Sequence, residues 1–179
     1  MSYSFSRGLI DLAEEGRVVV LATGFMIRRV MQPETDGLTG TAYLARALSE
    51  GLGLMPVIIC EAAAESSVAA AVEAAGLSRT DPKPPEGRKG RPYSGLYATI
   101  PFPAASDEDF KGKHETALEG LLACSPCAFV SIERPGKNAK GVSHTTFGMS
   151  MDDISADIDD VMGKMEDEGI PTFAVGDMG

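Results

Sequence analysis

Four short, mostly apolar segments constrain this chain more than anything else in it, the first two as buried runs and the other two as further strands. They are Arg17-Val-Val-Val-Leu-Ala22, Leu54-Met-Pro-Val-Ile-Ile-Cys60, Cys127-Ala-Phe-Val-Ser-Ile132 and Ile170-Pro-Thr-Phe-Ala-Val175. A strand with one wet face alternates apolar and polar residues, whereas a strand covered on both faces reads as a continuous apolar run. Helical patterns fall between the runs. Residues 38–50 carry Leu44, Ala47 and Leu48 at helical spacing before Gly51 and Gly53; the alanine-rich 62–75 closes at Gly76. Residues 107–123 read as a helix with Ser106 as its N-cap, and 152–168 as a helix ended by Gly169. Tyr97-Ala-Thr-Ile-Pro-Phe102 reads as a further strand, with Pro101 suited to an edge or a strand end. Strands alternating with helices imply an α/β fold, a three-layer domain whose mostly parallel sheet is flanked by helices.

At 179 residues the chain suits one domain over 1–179, and it contains no internal repeat or domain boundary. Residues 80–91, rich in proline, glycine and bases, read as an exposed loop. Within it Arg88-Lys-Gly-Arg91 reads as a solvated segment or as a lid over an anionic substrate. The sequence ends at Gly176-Asp-Met-Gly179, just after a strand. A doubly wound domain continues there into a covering helix, so the C-terminal part reads as missing. Sixteen bases against 26 acids give a net charge of −10. Such a surface argues against nucleic acid and anionic membranes as partners. No apolar run approaches the roughly 20 residues that cross a bilayer, and the N-terminus lacks the apolar block of a secretory signal. A cytoplasmic location is expected. Residues 152–168 hold eight acids and one base, Lys164, a composition expected of a solvated helix face. Association into a homo-oligomer is left open by the sequence.

Three cysteines make no disulfide framework. Cys124-Ser-Pro-Cys127 has the spacing of a redox dithiol, but it follows a helix and precedes a strand, the reverse of the order that lowers a thiol pKa. Neither a dinucleotide fingerprint nor a P-loop is present, so no nucleotide cofactor is expected. His114 reads as a solvated helix residue, and His144, in a loop near Glu133, as a surface histidine or a general base.

Ligands of open parallel sheets bind beyond the carboxyl ends of the strands, where the strand order reverses. The residues following the strands are therefore the candidates. They are Thr23-Gly24-Phe25 with Pro33-Glu34-Thr35-Asp36-Gly37-Leu38-Thr39-Gly40, then Glu61, then Glu133-Arg134-Pro135-Gly136, then Gly176-Asp177. Carboxylates gathered at one rim repel unless a cation or shared protons neutralise them, and oxygen donors favour Mg²⁺, Mn²⁺ or Ca²⁺. Glu34, Asp36, Glu133 and Asp177 are thus candidate metal ligands. Each acid has a structural alternative: shaping a turn, pairing with a base such as Arg134, or capping a helix.

Three segments together carry a resemblance. Leu21-Ala-Thr-Gly-Phe25 with Pro33-Glu-Thr-Asp-Gly37 and Ala45-Arg-Ala-Leu48, then Ile132-Glu-Arg-Pro-Gly136, then Gly169-Ile-Pro-Thr-Phe-Ala-Val-Gly-Asp177 resemble the D-glutamate cyclase C-terminal domain family, in order and over nearly the whole chain. Met178 stands where that family usually has glycine, its Asn-Glu continuation is absent, and Phe147-Gly-Met-Ser150 departs from its usual pattern. The resemblance implies a lyase that dehydrates D-glutamate to 5-oxo-D-proline with a divalent cation, Mn²⁺ or Mg²⁺. On that basis Asp36, Glu133 and Asp177 are expected in metal or proton work. Thr23, Gly24, Gly37, Thr39 and Arg134 are expected as contacts to an amino-acid substrate. Two other readings use the same residues: an enzyme of another small amino or carboxylic acid, or a non-catalytic metabolite- or metal-binding module.

Overall fold

A computed structural model describes residues 2–14, 17–82 and 91–176. Helix α1 (Ser2–Leu12) precedes the first buried strand, β1 (Val18–Ala22). A two-residue hairpin, β2 (Met26–Ile27) with β3 (Gln32–Pro33), leads into α2 (Thr35–Arg46), which runs on into a π-turn over Ala47–Gly51. Then come β4 (Met55–Glu61), a short 3₁₀ turn, α3 (Glu65–Ala74), β5 (Ser78–Arg79), β6 (Leu96–Phe102), α4 (Phe110–Ala123), β7 (Pro126–Ile132), α5 (Ile158–Asp167) and β8 (Thr172–Val175).

Six of the strands form one parallel sheet in the order β5-β6-β4-β1-β7-β8. The alternation of side chains along each strand divides the core in two. Val19, Leu21, Ile58, Cys60, Val130 and Ile132 face α1, α2 and α3. Val18, Val20, Ala22, Val57, Ile59 and Phe129 face α4 and α5. All five residues of β1 and all seven of β4 are buried, as strands between two helical layers must be. Pro101 sits opposite Cys60 on one side, while β5 reaches only Leu96 and Tyr97 on the other. The residue without a ladder donor therefore lies where β6 has no outer neighbour.

Several local expectations are corrected. Helix α1 was not foreseen; it earns its place through Leu9 and Phe5, whose ring meets Phe173 of β8 edge-on at 5.6 Å. Ser106 does not cap α4. That position belongs to Asp109, in left-handed backbone (φ +55°), and the Ser106 hydroxyl donates to the carbonyl of Asp153 at 2.5 Å. The last helix starts at Ile158, not 152, because Asp157 caps it by accepting from the Asp160 amide at 3.2 Å. Nor is the acidic stretch simply solvated. Asp153 holds Arg28, Asp152 accepts from the Ser143 amide, Asp157 pairs with Lys137, and Asp159 accepts from the Lys137 amide. His114 is buried between Phe102 and Phe110, with Nε2 3.0 Å from Asp160. Among the described residues no helix is long and apolar enough to cross a membrane.

Candidate functional site

The chain leaves β1 towards β4 and β6, then returns through α4 to β7 on the other side of β1. The strand order reverses between β1 and β7, which places the crevice of an open parallel sheet at their carboxyl ends. Three expected residues meet there. A Cβ added to Gly37 would stand 3.1 Å from both Glu133 Cβ and Thr23 Oγ1, and 3.7 Å from the Ile132 carbonyl. Any side chain at this position would have to push Glu133 or Thr23 aside by a few tenths of an ångström, so glycine lets the first turn of α2 lie close to the ends of β1 and β7. A Cβ added to Gly40, one turn on, would meet Ile132 Cγ2 at 3.7 Å. The helix thus presents a small-residue face to β7.

Thr23 is fully buried, and its hydroxyl has no hydrogen-bond partner among the described residues. A buried polar atom without a partner is uncommon and costs stability. Glu133 follows β7 with φ +47°, a region that residues bearing a Cβ rarely occupy, while its amide continues the ladder by donating to the Val175 carbonyl at 2.9 Å. Strained backbone of this kind gathers at functional sites.

Beneath them lies an ion pair. The Arg134 and Glu61 side chains are 3% and 1% exposed, and Nη1 reaches Glu61 Oε1 at 2.5 Å. Nη1 also donates to the carbonyls of Gly24 (2.7 Å) and Thr23 (3.2 Å), and Nη2 to that of Ala156 (3.2 Å). The Ala156 amide returns a bond to Glu61 Oε1 at 3.1 Å. Gly24, at φ +115°, lies against the other carboxylate oxygen: an added Cβ would stand 2.5 Å from Oε2. Arg134 therefore does not reach out to a substrate as the sequence suggested. It is turned inward, because the acid ending the wholly buried β4 needs a cation.

The remaining candidates are placed as follows. Glu34 occupies the N-cap position of α2, half-buried, with its amide donating to the Phe25 carbonyl at 2.9 Å. Asp36 is exposed in the first turn, and its Oδ1 accepts from the Gly37 amide at 2.8 Å. Thr39 turns its hydroxyl back onto the Thr35 carbonyl at 2.8 Å. Asp177 lies outside the described residues, as do Arg88 and Lys89 of the basic loop; Arg91 donates to the Glu50 carbonyl at 2.8 Å. His144 stands 3.3 Å from the Asn138 side-chain amide. Among the described residues, no three of His, Cys, Asp and Glu converge as a metal-ligand group. No two of the cysteines form a disulfide, and burial raises the Cys127 thiol above its ordinary range, opposite to a redox thiol.

A cavity of about 270 Å³ opens at the carboxyl ends of β4 and β6, lined by Glu61, Ala62, Ser106, Asp107 and Asp153 among others. A larger one, about 1020 Å³, runs along α4 away from the crevice and is bordered by Pro82, next to undescribed residues. The smaller is nearer the strand ends where ligands of such sheets bind.

Glu61 is the strand-end residue to which reading the sequence gave no role. Its signal was present: an acid closing a seven-residue buried run has to find a cation, and Arg134 is the base that follows another strand end.

The family model described as D-glutamate cyclase-like, C-terminal, matches residues 5–179. No curated protein matches the chain. The chain belongs to the D-glutamate cyclase-like C-terminal domain family.

Proposed function

From this family membership we propose that the chain is a metal-dependent lyase converting D-glutamate to 5-oxo-D-proline and water in the crevice between β1 and β7. The observation that carries the reading is the meeting of Thr23, Gly37 and Glu133, drawn from distant parts of the sequence to the point where the strand order reverses.

Among the described residues no three acids converge as a ligand group; a hard divalent cation would take oxygen donors drawn from Glu34, Asp36, Glu133 and Asp177. A bound cation of the Mn²⁺ or Mg²⁺ type supplies Lewis acidity, which makes a carboxylate a better electrophile. The reaction forms a bond from the α-amino nitrogen to the γ-carboxyl carbon and breaks a carbon–oxygen bond. The nitrogen gives up two protons, one before it attacks and one as the amide forms; Glu133 takes each in turn and passes it to the departing oxygen, which leaves as water. The amino end of α2, a helix of 12 residues, faces the negative charge that the substrate brings. Gly24 and Gly37 keep the backbone close without side-chain bulk, and Arg134 acts from below by fixing the strand ends.

The test is direct. The chain is incubated with D-glutamate and Mn²⁺, with L-glutamate in parallel, and 5-oxoproline is measured by mass spectrometry. Asp36→Asn and Glu133→Gln are expected to abolish product while circular dichroism stays that of the parent. Absence of product from either enantiomer refutes the named reaction. D-Glutamate binding without product would assign the non-catalytic reading instead.

A further inference from the structure

We infer that the buried Glu61–Arg134 ion pair is a positioning device that holds Glu133 in its left-handed backbone conformation, with its side chain leaving the chain beside Gly37.

Two restraints act on adjacent residues and pull in different directions. The Glu133 amide continues the β7 ladder sideways to the Val175 carbonyl at 2.9 Å. The Arg134 side chain runs back across the sheet, where its two terminal nitrogens bond to Glu61 and to the carbonyls of Thr23, Gly24 and Ala156. These partners lie after β1, after β4 and ahead of α5, so one guanidinium joins three segments to the end of β7. The Ala156–Glu61 bond closes the ring from the other side. A chain that must satisfy both restraints twists between them, and Glu133 takes φ +47°. Such a conformation persists only where its surroundings over-determine it. Both terminal nitrogens of Arg134 are taken up by acceptors of the protein itself, and the pair acts through its neighbour Glu133.

Its catalytic consequence rests on the proposed reaction, whereas its backbone consequence does not, so both are measured. The double variant Glu61→Met with Arg134→Met removes both charges together and leaves neither one buried alone. Its crystal structure is expected to show a folded chain with Glu133 at negative φ and its Cβ moved away from Gly37. Glu133 remaining near +47° in the folded double variant overturns the inference, and the pair is then only a structural tie. If the double variant does not fold, Arg134→Lys is read the same way. It keeps the charge opposite Glu61 but replaces the fork with a single nitrogen that cannot serve every acceptor. On the parent's D-glutamate turnover, the folded variant is expected to lower kcat on the order of 100-fold, as a misplacement of about 1 Å does, with KM changed less than about twofold. Loss confined to KM overturns the inference. If the parent shows no turnover, the proposed reaction fails and Glu133 φ alone decides.

Discussion

Replacing Gly24 with alanine tests whether the joint under the crevice is rigid. The substitution adds one carbon at a residue with φ +115°, where an added Cβ would stand 2.5 Å from Glu61 Oε2 and 3.2 Å from Arg134 Nη1. The backbone alone costs about 1–2 kcal/mol for a residue that bears a Cβ. Crowding adds about 1–3 kcal/mol, as overpacking in a tight interior does. Side-chain ends normally swing aside at little cost, but these two are held in a buried pair with further bonds to Thr23, Gly24 and Ala156. The expected loss is therefore about 2–5 kcal/mol, a large part of the 5–15 kcal/mol that holds a domain together. Urea unfolding reads it as a fall in midpoint of about 1–2.5 M at unchanged slope, for a slope of roughly 2 kcal/mol per molar. Gly136→Ala is the control: nothing lies within 4 Å of its added Cβ, and the change should stay within about 0.5 kcal/mol. Glu61→Asp, which withdraws the carboxylate by one methylene, should recover part of the Gly24→Ala loss, so the two changes add to less than their sum. A folded Gly24→Ala protein within about 0.5 kcal/mol of the parent would refute the reasoning, because Glu61 and Arg134 would then yield freely.

Three further outcomes follow from the same geometry. Gly37→Ala gains about 0.5–1 kcal/mol of helix preference but crowds Glu133 and Thr23 at 3.1 Å. Stability should change little while 5-oxoproline formation falls about 10-fold or more, a 1 Å misplacement costing on the order of 100-fold. Thr23→Val removes a fully buried hydroxyl that lacks a partner among the described residues. Calorimetry should show a melting temperature unchanged or raised, worth up to about 2 kcal/mol; a lowered one would refute the absence of a partner. Burial pushes the Cys60 thiol up to about 12 from 9.0. Above pH 9 the unfolded chain releases this proton and the folded chain keeps it, so the folded state binds more protons and stability falls as pH rises towards 12. The slope approaches about 1.4 kcal/mol per pH unit for this group. Cys60→Ala should flatten it in urea titrations at pH 8, 9 and 10, and an unchanged slope would contradict the assignment.

The layered α/β architecture was legible in the amino-acid order because burial on both faces leaves a mark on every residue of a strand. Val18–Ala22 and Met55–Glu61 had to be interior strands whatever surrounded them. Glycine stops and helical spacing marked most of the helices for the same local reason. The family was equally legible, since its motifs are runs of neighbouring residues. Short or context-dependent elements were not: the two-residue strands, the start of α5 at its Asp157 cap, and α1, whose stability comes from Phe173 far along the chain.

The candidate acids were legible as a list but not as an arrangement. Position after a strand is a one-dimensional property, and it correctly gathered Thr23, Gly37 and Glu133 at the crevice. It could not say that Arg134 would turn inward to Glu61, that Thr23 would lack a partner among the described residues, or that Glu133 would take left-handed backbone. Those depend on which strands become neighbours. The β1–β7 and β1–β4 pairings bring residues 23, 61, 134 and 156 within bonding distance, and a charge removed from water takes whichever partner those pairings supply. Hydrophobic pattern alone therefore determined the layers, through the burial of each residue; packing across the sheet decided which polar groups meet, because hydrogen bonds and ion pairs form only over the few ångströms that tertiary contact creates.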